Sequence, residues 1–142
     1  MTPIVKKVTQ LVVGLIFLYG IYIITHGHLT PGGGFAGGAV IAGSFILLVL
    51  AYGSDILKLR KREEGSSVIE STGIFIFLAL ALAALFTGTG IFFSNYLPKG
   101  VIGELISAGT IPLYNIAVGI EVAAALFTIF LALVIYKEEV LK

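Results

Sequence analysis

Residues 111–136 read IPLYNIAVGIEVAAALFTIFLALVIY, and this stretch decides the fold. A helix needs about 20 apolar residues to cross about 30 Å of hydrocarbon, and this run exceeds that with one charged residue, Glu121, near its centre. A carboxylate at that depth costs about 2.5–3.5 kcal/mol on insertion scales, so it must face protein, water or a partner charge rather than lipid. The spacing agrees. Tyr114, Ala117, Glu121, Ala124, Ala125 and Thr128 share one helical face, while Ile116, Ile120, Phe127 and Phe130 point elsewhere. A small, polar stripe with one acid at its centre points to a buried interface or a proton or cation route, with Tyr114 and Thr128 as neighbours of the acid. The alternative is a protonated glutamate hydrogen-bonded to an adjacent helix, acting as packing glue.

The rest of the chain has the same character. Hydrophobic residues make up 58% and charged residues 12% of the 142 positions, about half the charged share of soluble domains, and the mean hydropathy is +1.07. No Asp, Glu, Lys or Arg occurs in 8–54 or in 71–98. The first run is interrupted at His26-Gly27-His28-Leu29-Thr30-Pro31 and holds two spans; the second holds one. The expected fold is therefore an all-α integral membrane protein, a single membrane domain (1–142) of four transmembrane helices at 4–25, 31–51, 68–93 and 111–136. Tyr19, Tyr22, Tyr52 and Tyr96 fall near the expected interfaces. Thr30-Pro31 reads as a start signal for the second helix, a capping hydroxyl before a ring pre-set for the first turn. Lys6 and Lys7 precede an apolar run as in a signal peptide. However, no small-x-small cleavage site follows Ile24 and another span comes at once, so an uncleaved first helix is expected.

Four spans put both termini and the 54–67 loop on one side. That side carries Lys6, Lys7, Lys58, Arg60, Lys61, Arg62, Lys137 and Lys142, against Lys99 alone on the other. The positive-inside rule places both termini in the cytoplasm of a cell-membrane protein. The mixed-sign run 58–64 is expected as a solvated loop touching lipid headgroups or a partner. With no cysteine there is no disulfide or thiolate metal site. One Met, one Gln and the two residues Asn95 and Asn115 leave few thermolabile side chains, which fits a thermophilic source.

A second informative stretch follows the first span. Gly32-Gly33-Gly34-Phe35-Ala36-Gly37 matches G-x-G-x-x-G in form, but no strand precedes it and Asp55 lies at a membrane exit. A P-loop fails for want of Gly-Lys-Ser/Thr. Within a membrane the glycines have another use. Gly33 with Gly37, and Gly34 with Gly38 and Ala42, form small-xxx-small ridges that let a neighbouring helix approach closely. Each interior glycine costs about 1 kcal/mol of helix propensity, so five in seven positions need a compensating reason: close packing, or a locally unwound first turn with free amides. Ala79, Ala83, Thr87 and Gly90 read as a similar ridge on the third helix. Several such faces point to assembly into something larger. His26 and His28 lie in the outer turn, either as turn residues bonded to backbone or as proton relays; two histidines alone make a poor metal site.

The segment His26-Gly27-His28-x-x-Pro31-Gly32-Gly33-Gly34-Phe35-x-Gly37-Gly38 closely resembles the signature of the B subunit of Mrp-type multisubunit sodium/proton antiporters. Length, span count and the signature's place between the first two helices extend the resemblance over essentially the whole chain. It implies a small integral subunit contributing to assembly and Na+/H+ translocation, beside larger antiporter subunits similar to those of respiratory complex I, with Na+ and H+ as transported ions. Similar subunits occur in archaeal membrane-bound hydrogenases and related respiratory complexes, where redox chemistry drives pumping. The signature carries over to Pro31, Gly32, Gly33, Gly34, Gly37 and Gly38; the role of Glu121 rests on the physical argument alone. No cofactor, metal or nucleic acid is expected. An autonomous small exporter would carry its acid in the first helix and be active alone in liposomes, and a purely structural subunit would tolerate loss of the Glu121 carboxylate. No nucleophile–base pair or metal cluster points to an enzyme.

Overall fold

The computed structural model describes residues 2–53, 59–87, 90–105 and 107–140. Four helices follow one another: α1 (Pro3–Thr25), α2 (Gly34–Tyr52), α3 (Leu59–Phe86) and α4 (Ile111–Val140). Each is long and apolar enough to cross a membrane, and the described residues include no strand. Leu11, Leu15 and Leu18 of α1 are more than 60% exposed, an apolar surface that a lipid environment accepts and water does not.

The helix ends show how local sequence sets the boundaries. Pro3 opens α1 at a position where its missing N–H costs nothing. After Thr25 the chain turns, with the Leu29 and Thr30 amides donating to the His26 carbonyl at 2.8 and 2.9 Å. The Thr30 hydroxyl donates to the same carbonyl at 3.2 Å, so it closes the turn after α1 instead of capping α2. The second helix therefore starts at Gly34 and not at Pro31. Between them Gly32 (φ 147°) and Gly33 (φ 96°) adopt positive φ, which side chains resist, and swing the chain into α2.

The third helix differs more from expectation. It begins at Leu59 rather than Val68 and ends at Phe86 rather than Phe93. Hydropathy assigns Arg60, Lys61, Arg62, Glu63 and Glu64 to a loop, yet Arg, Lys, Glu and Leu are good helix formers. Lys58 lies outside the described residues, but 59–67 is helix. Beyond Phe86 the 90–110 connection is held by Asn95, which donates to the Ala108 carbonyl (2.9 Å) and accepts from the Thr110 amide (2.9 Å) and hydroxyl (3.1 Å).

In space the order is α1, α2, α4, α3, with a narrow contact between α1 and α4; among the described residues α3 packs on α4 alone. Glycines set the α1–α2 and α2–α4 interfaces. A β-carbon on Gly20 of α1 would lie 2.6 Å from Ile41 Cγ1 and 3.1 Å from the Gly37 carbonyl oxygen of α2. One on Gly34 would lie 2.5 Å from the Asn115 carbonyl oxygen, and one on Gly38 2.7 Å from that of Gly119. Backbones thus touch, and dispersion between close main chains replaces the hydrophobic effect that membranes do not supply. Val49 and Leu131 continue the α2–α4 contact toward the other end, with Phe127, Phe130, Val134 and Ile135 around them. The expected ridge on the third helix is corrected: Ala79 is exposed and Thr87 and Gly90 lie beyond the helix, while Gly73, Ala81 and Ala84 are the buried small residues.

Because α2 and α4 run parallel, the C-terminal ends of both stand at the same end of the bundle as the start of α1, where Lys6 Nζ lies 5.5 Å from the centre of the Tyr52 ring. Lys6, Tyr52 and Tyr136 mark that end. The turn with His26 and His28 marks the other.

Candidate functional site

The expected site residues fall on different elements. Tyr114, Glu121 and Thr128 share the α3-facing side of α4, whereas His26 and His28 stand in the turn between α1 and α2. Ala117 and Ala124, on the same stripe as Glu121, are buried, and Ile116 and Ile120 on the opposite side are exposed, as the helical spacing requires.

Glu121 is half-buried against α3. Its backbone is reached by Gly73: a β-carbon there would lie 2.9 Å from Glu121 Cβ and 3.1 Å from its Cα and amide nitrogen. Any other residue at position 73 would push the helices apart at the level of the acid. One turn away, the Ala124 carbonyl accepts two hydroxyl hydrogen bonds, from Ser66 of α3 at 3.0 Å and from Thr128 of its own helix at 2.9 Å. Ser66, Glu70, Gly73 and Phe77 recur at i, i+4, i+7 and i+11, so Glu70 lies on or beside the α4-facing stripe of α3, between the Ser66–Ala124 and Gly73–Glu121 contacts. Glu63, Glu64, Ser67 and Thr128 line an open cleft of about 700 Å³ on this side of the α3–α4 pair. The arrangement is a polar seam by helical position: Glu121 and Glu70, both half-buried, then Ser67 with Thr128, then Glu63 and Glu64 toward the end marked by Tyr52. Carboxylates and hydroxyls in file are the groups that pass protons or shed-hydration cations.

Tyr114 stands at the other end of the seam. Its ring packs against Phe77 (centroids 5.4 Å apart) and Phe93 (5.7 Å), and its hydroxyl is buried without a hydrogen-bond partner among the described residues.

The histidines are turn residues bonded to backbone. His26 Nδ1 lies 3.1 Å from the Tyr22 carbonyl, and its ring stacks on Tyr22 at 4.1 Å. His28 Nε2 lies 3.3 Å from the Glu104 carbonyl. A carbonyl only accepts, so a hydrogen bond to it uses the tautomer with the proton on that nitrogen; His26 Nδ1 also lies 3.1 Å from the Thr25 hydroxyl. The His28 contact ties the turn to the 90–110 connection. No group of three or more His, Asp or Glu side chains among the described residues could hold a metal ion.

The glycine signature does two jobs. Gly32 and Gly33 make the turn, while Gly34 and Gly38 seat α2 on α4 and Gly37 seats it on α1 against Gly20 and Ile24. Asn115 joins the two halves. Its side-chain oxygen accepts the Gly34 amide at 3.4 Å, one of the four orphan donors at the start of α2. Pro31 is exposed and stands outside the helix.

A family model described as a domain related to the MnhB subunit of Na+/H+ antiporter matches residues 4–128. The chain belongs to the MnhB family. It is 30% identical to the putative antiporter subunit mnhB2 of Staphylococcus haemolyticus over 92% of both chains. It is 39% identical to an uncharacterised protein of Methanocaldococcus jannaschii over 89% of this chain but 50% of that one. A solved chain of the membrane-bound sulfane sulfur reductase, an archaeal respiratory membrane complex, superposes with a TM-score of 0.74 at 33% identity, over 91% of this chain and 56% of that one. The MnhB chain thus spans about half the length of two of these relatives. It is a multi-pass membrane subunit of an antiporter-type multisubunit complex.

Sequence reading misses Glu70, Ser66, Gly73, Asn115 and Gly119 of this MnhB chain. The first three fall where hydropathy sets the third helix too late or outweighs other signals. A polar stripe at helical spacing from Glu63 to Gly73 is the available signal. Asn115 and Gly119 become informative only once α2 is known to lie across them.

Proposed function

We propose that this MnhB-family subunit contributes directly to ion translocation in its complex, with Glu121 as the group that takes up and releases a proton or cation between α3 and α4. The observation that carries the reading is the seam: Glu121, the acid at the middle of α4, is set against Gly73, and polar residues continue through Glu70, Ser67 and Thr128 to Glu63 and Glu64. On this reading the ions are Na+ and H+, the basic end of the bundle faces the cytoplasm of the cell membrane, and any redox chemistry belongs to other subunits. His26 and His28, bonded to the Tyr22 and Glu104 carbonyls, serve the fold of the outer turn.

A second reading has its own support. The likeness to a chain of a respiratory membrane complex, at 33% identity, favours a role in the ion-pumping arm of a redox-driven complex. The same seam would then work under a different driving force.

The test is Glu121→Gln. Gln keeps shape and much of the hydrogen bonding but cannot release a proton or present a full charge. The complex should remain assembled on native gels while proton and cation flux in membrane vesicles, normalised to complex, falls by about tenfold or more, the loss associated with a positioned proton-transfer group. Glu121→Asp should keep part of the flux. Full flux in Glu121→Gln would reduce the residue to helix packing and the subunit to a scaffold.

A further inference from the structure

A groove runs along the flank of α3 that faces away from the seam. Because α3 packs on α4 alone among the described residues, α1 and α3 stand apart across α4, and about 530 Å³ of open space lies between them. All four helices line it, with Phe17 of α1, Phe45 of α2, Ile69 of α3 and Phe127 of α4. The Phe45 ring lies 5.8 Å from each of the other two phenylalanine rings, so one wall is aromatic. Spread over the roughly 12 Å that separate Gly119 from Phe127 along α4, this volume leaves a cross-section of about 45 Å², whereas a helix of about 10–12 Å diameter needs about 80–110 Å². A further helix does not fit, and an extended hydrocarbon chain does. The lining carries one charge. Arg62 stands where the membrane-spanning part of α3 begins. Residues three and four positions from it on either side, Lys58, Leu59, Gly65 and Ser66, include no acid, so no helical ion pair neutralises it. Glu63 and Glu64 turn to the opposite flank and line the cleft with Thr128, and the Ser66 hydroxyl is taken by the Ala124 carbonyl.

We propose that this groove binds an anionic phospholipid from the leaflet at the end marked by Tyr52, with its chain along Phe45 and Phe127 and its phosphate on Arg62. Shape and charge together select that occupant. The narrow apolar lining takes a hydrocarbon chain, and a planar guanidinium donates to two phosphate oxygens at once. At the start of the span, the long arginine side chain reaches headgroup depth while its stem stays on apolar surface. A carboxylate from a neighbouring subunit would match Arg62 but would leave the groove itself unfilled, since its helix cannot enter. The bound chain braces α1 against α3, two helices that the described residues leave unjoined. The inference rests on the chain's place in a membrane, and not on whether Glu121 conducts.

The test uses the assembled complex, purified in mild detergent and reconstituted with a phosphatidylglycerol that carries a diazirine in its chain, or with the phosphatidylcholine of the same chain. After irradiation, adducts on this subunit are mapped by mass spectrometry. Adducts at Ile69, Ile120 and Phe127 should form with phosphatidylglycerol at about five times the yield with phosphatidylcholine, the factor that one basic residue gives an anionic lipid. Arg62→Gln should bring the phosphatidylglycerol yield down to that of phosphatidylcholine. Gly65→Leu should lower both yields. A β-carbon at position 65 meets nothing within 4 Å, so the fold accepts the side chain, which then fills the groove beside Arg62. Equal yields from the two lipids in the native complex, or a preference that survives Arg62→Gln, would overturn the proposal, because Arg62 would then be neutralised by a carboxylate, whether Asp55 of this chain or one of a neighbour. Adducts confined to Leu11, Leu15 and Leu18 on the outer face of α1, or yields that Gly65→Leu leaves unchanged, would overturn it too, since the groove would hold no chain. If Arg62→Gln fails to assemble, the comparison of the two lipids and the Gly65→Leu variant decide. The flux of Glu121→Gln bears on the ion-pathway reading alone, so the two can fail separately.

Discussion

At the scale of single residues, the α3–α4 contact depends on what is missing from Gly73 as much as on what Glu121 supplies. A methyl at position 73 would sit 2.9–3.1 Å from Glu121 Cβ, Cα and amide nitrogen, and two of those atoms belong to the backbone, so the helix itself must shift. Asn115 is the other residue whose effect exceeds its size. It accepts the Gly34 amide from across the bundle, the job an N-cap side chain does from within. Asn115→Ala should destabilise the subunit by about 1 kcal/mol, the cost of a lost cap, and leave flux per assembled complex unchanged. Thermal aggregation of the detergent-solubilised complex, compared with flux in the same preparation, checks both halves of this expectation.

At the scale of elements, the glycines of α2 divide by the neighbour they meet. A methyl group on Gly38 would have the Gly119 carbonyl oxygen, Val122 Cβ and the Ala123 amide within 3.2 Å, whereas one on Gly43, about one and a half turns on, would have nothing within 4 Å. Gly38→Ala should therefore cost about 1–3 kcal/mol through forced separation of α2 and α4, and Gly43→Ala should be neutral or gain up to about 1 kcal/mol of helix propensity. The ratio of assembled to free subunit on native gels reports the difference, and equal assembly of the two variants would remove backbone contact as the reason for the glycine signature. The start of α3 teaches the same lesson from the other direction. Its first turns are legible as good helix formers, but their hydropathy argues for a loop. The helix persists at that level because Ser66 and the Ala124 carbonyl satisfy each other against α4.

For the whole molecule, the bundle has a basic end and an end with few charges. Lys6, Lys7, Arg62 and Lys137 lie toward the end marked by Tyr52, and Lys99 lies in the connection at the other. The positive-inside rule then predicts that Lys137→Cys is labelled only from the cytoplasm and Lys99→Cys only from outside. Impermeant maleimide applied to intact cells and to inverted vesicles checks this, and labelling of position 137 in intact cells would reverse the orientation.

The sequence alone determined the four membrane helices, the stripe of α4 that holds Glu121, and the family to which the chain belongs. These follow from hydropathy, 3.6-residue periodicity and a glycine-rich signature, all of which act within one segment. Only the tertiary structure decided which helix each glycine meets, that α3 reaches back to Leu59, and that Gly73 and Ser66 of α3 stand against Glu121 and Ala124 of α4. Those facts depend on pairing residues as far apart as Ser66 and Ala124, and a local pattern of apolar and polar residues carries no record of the partner that completes it.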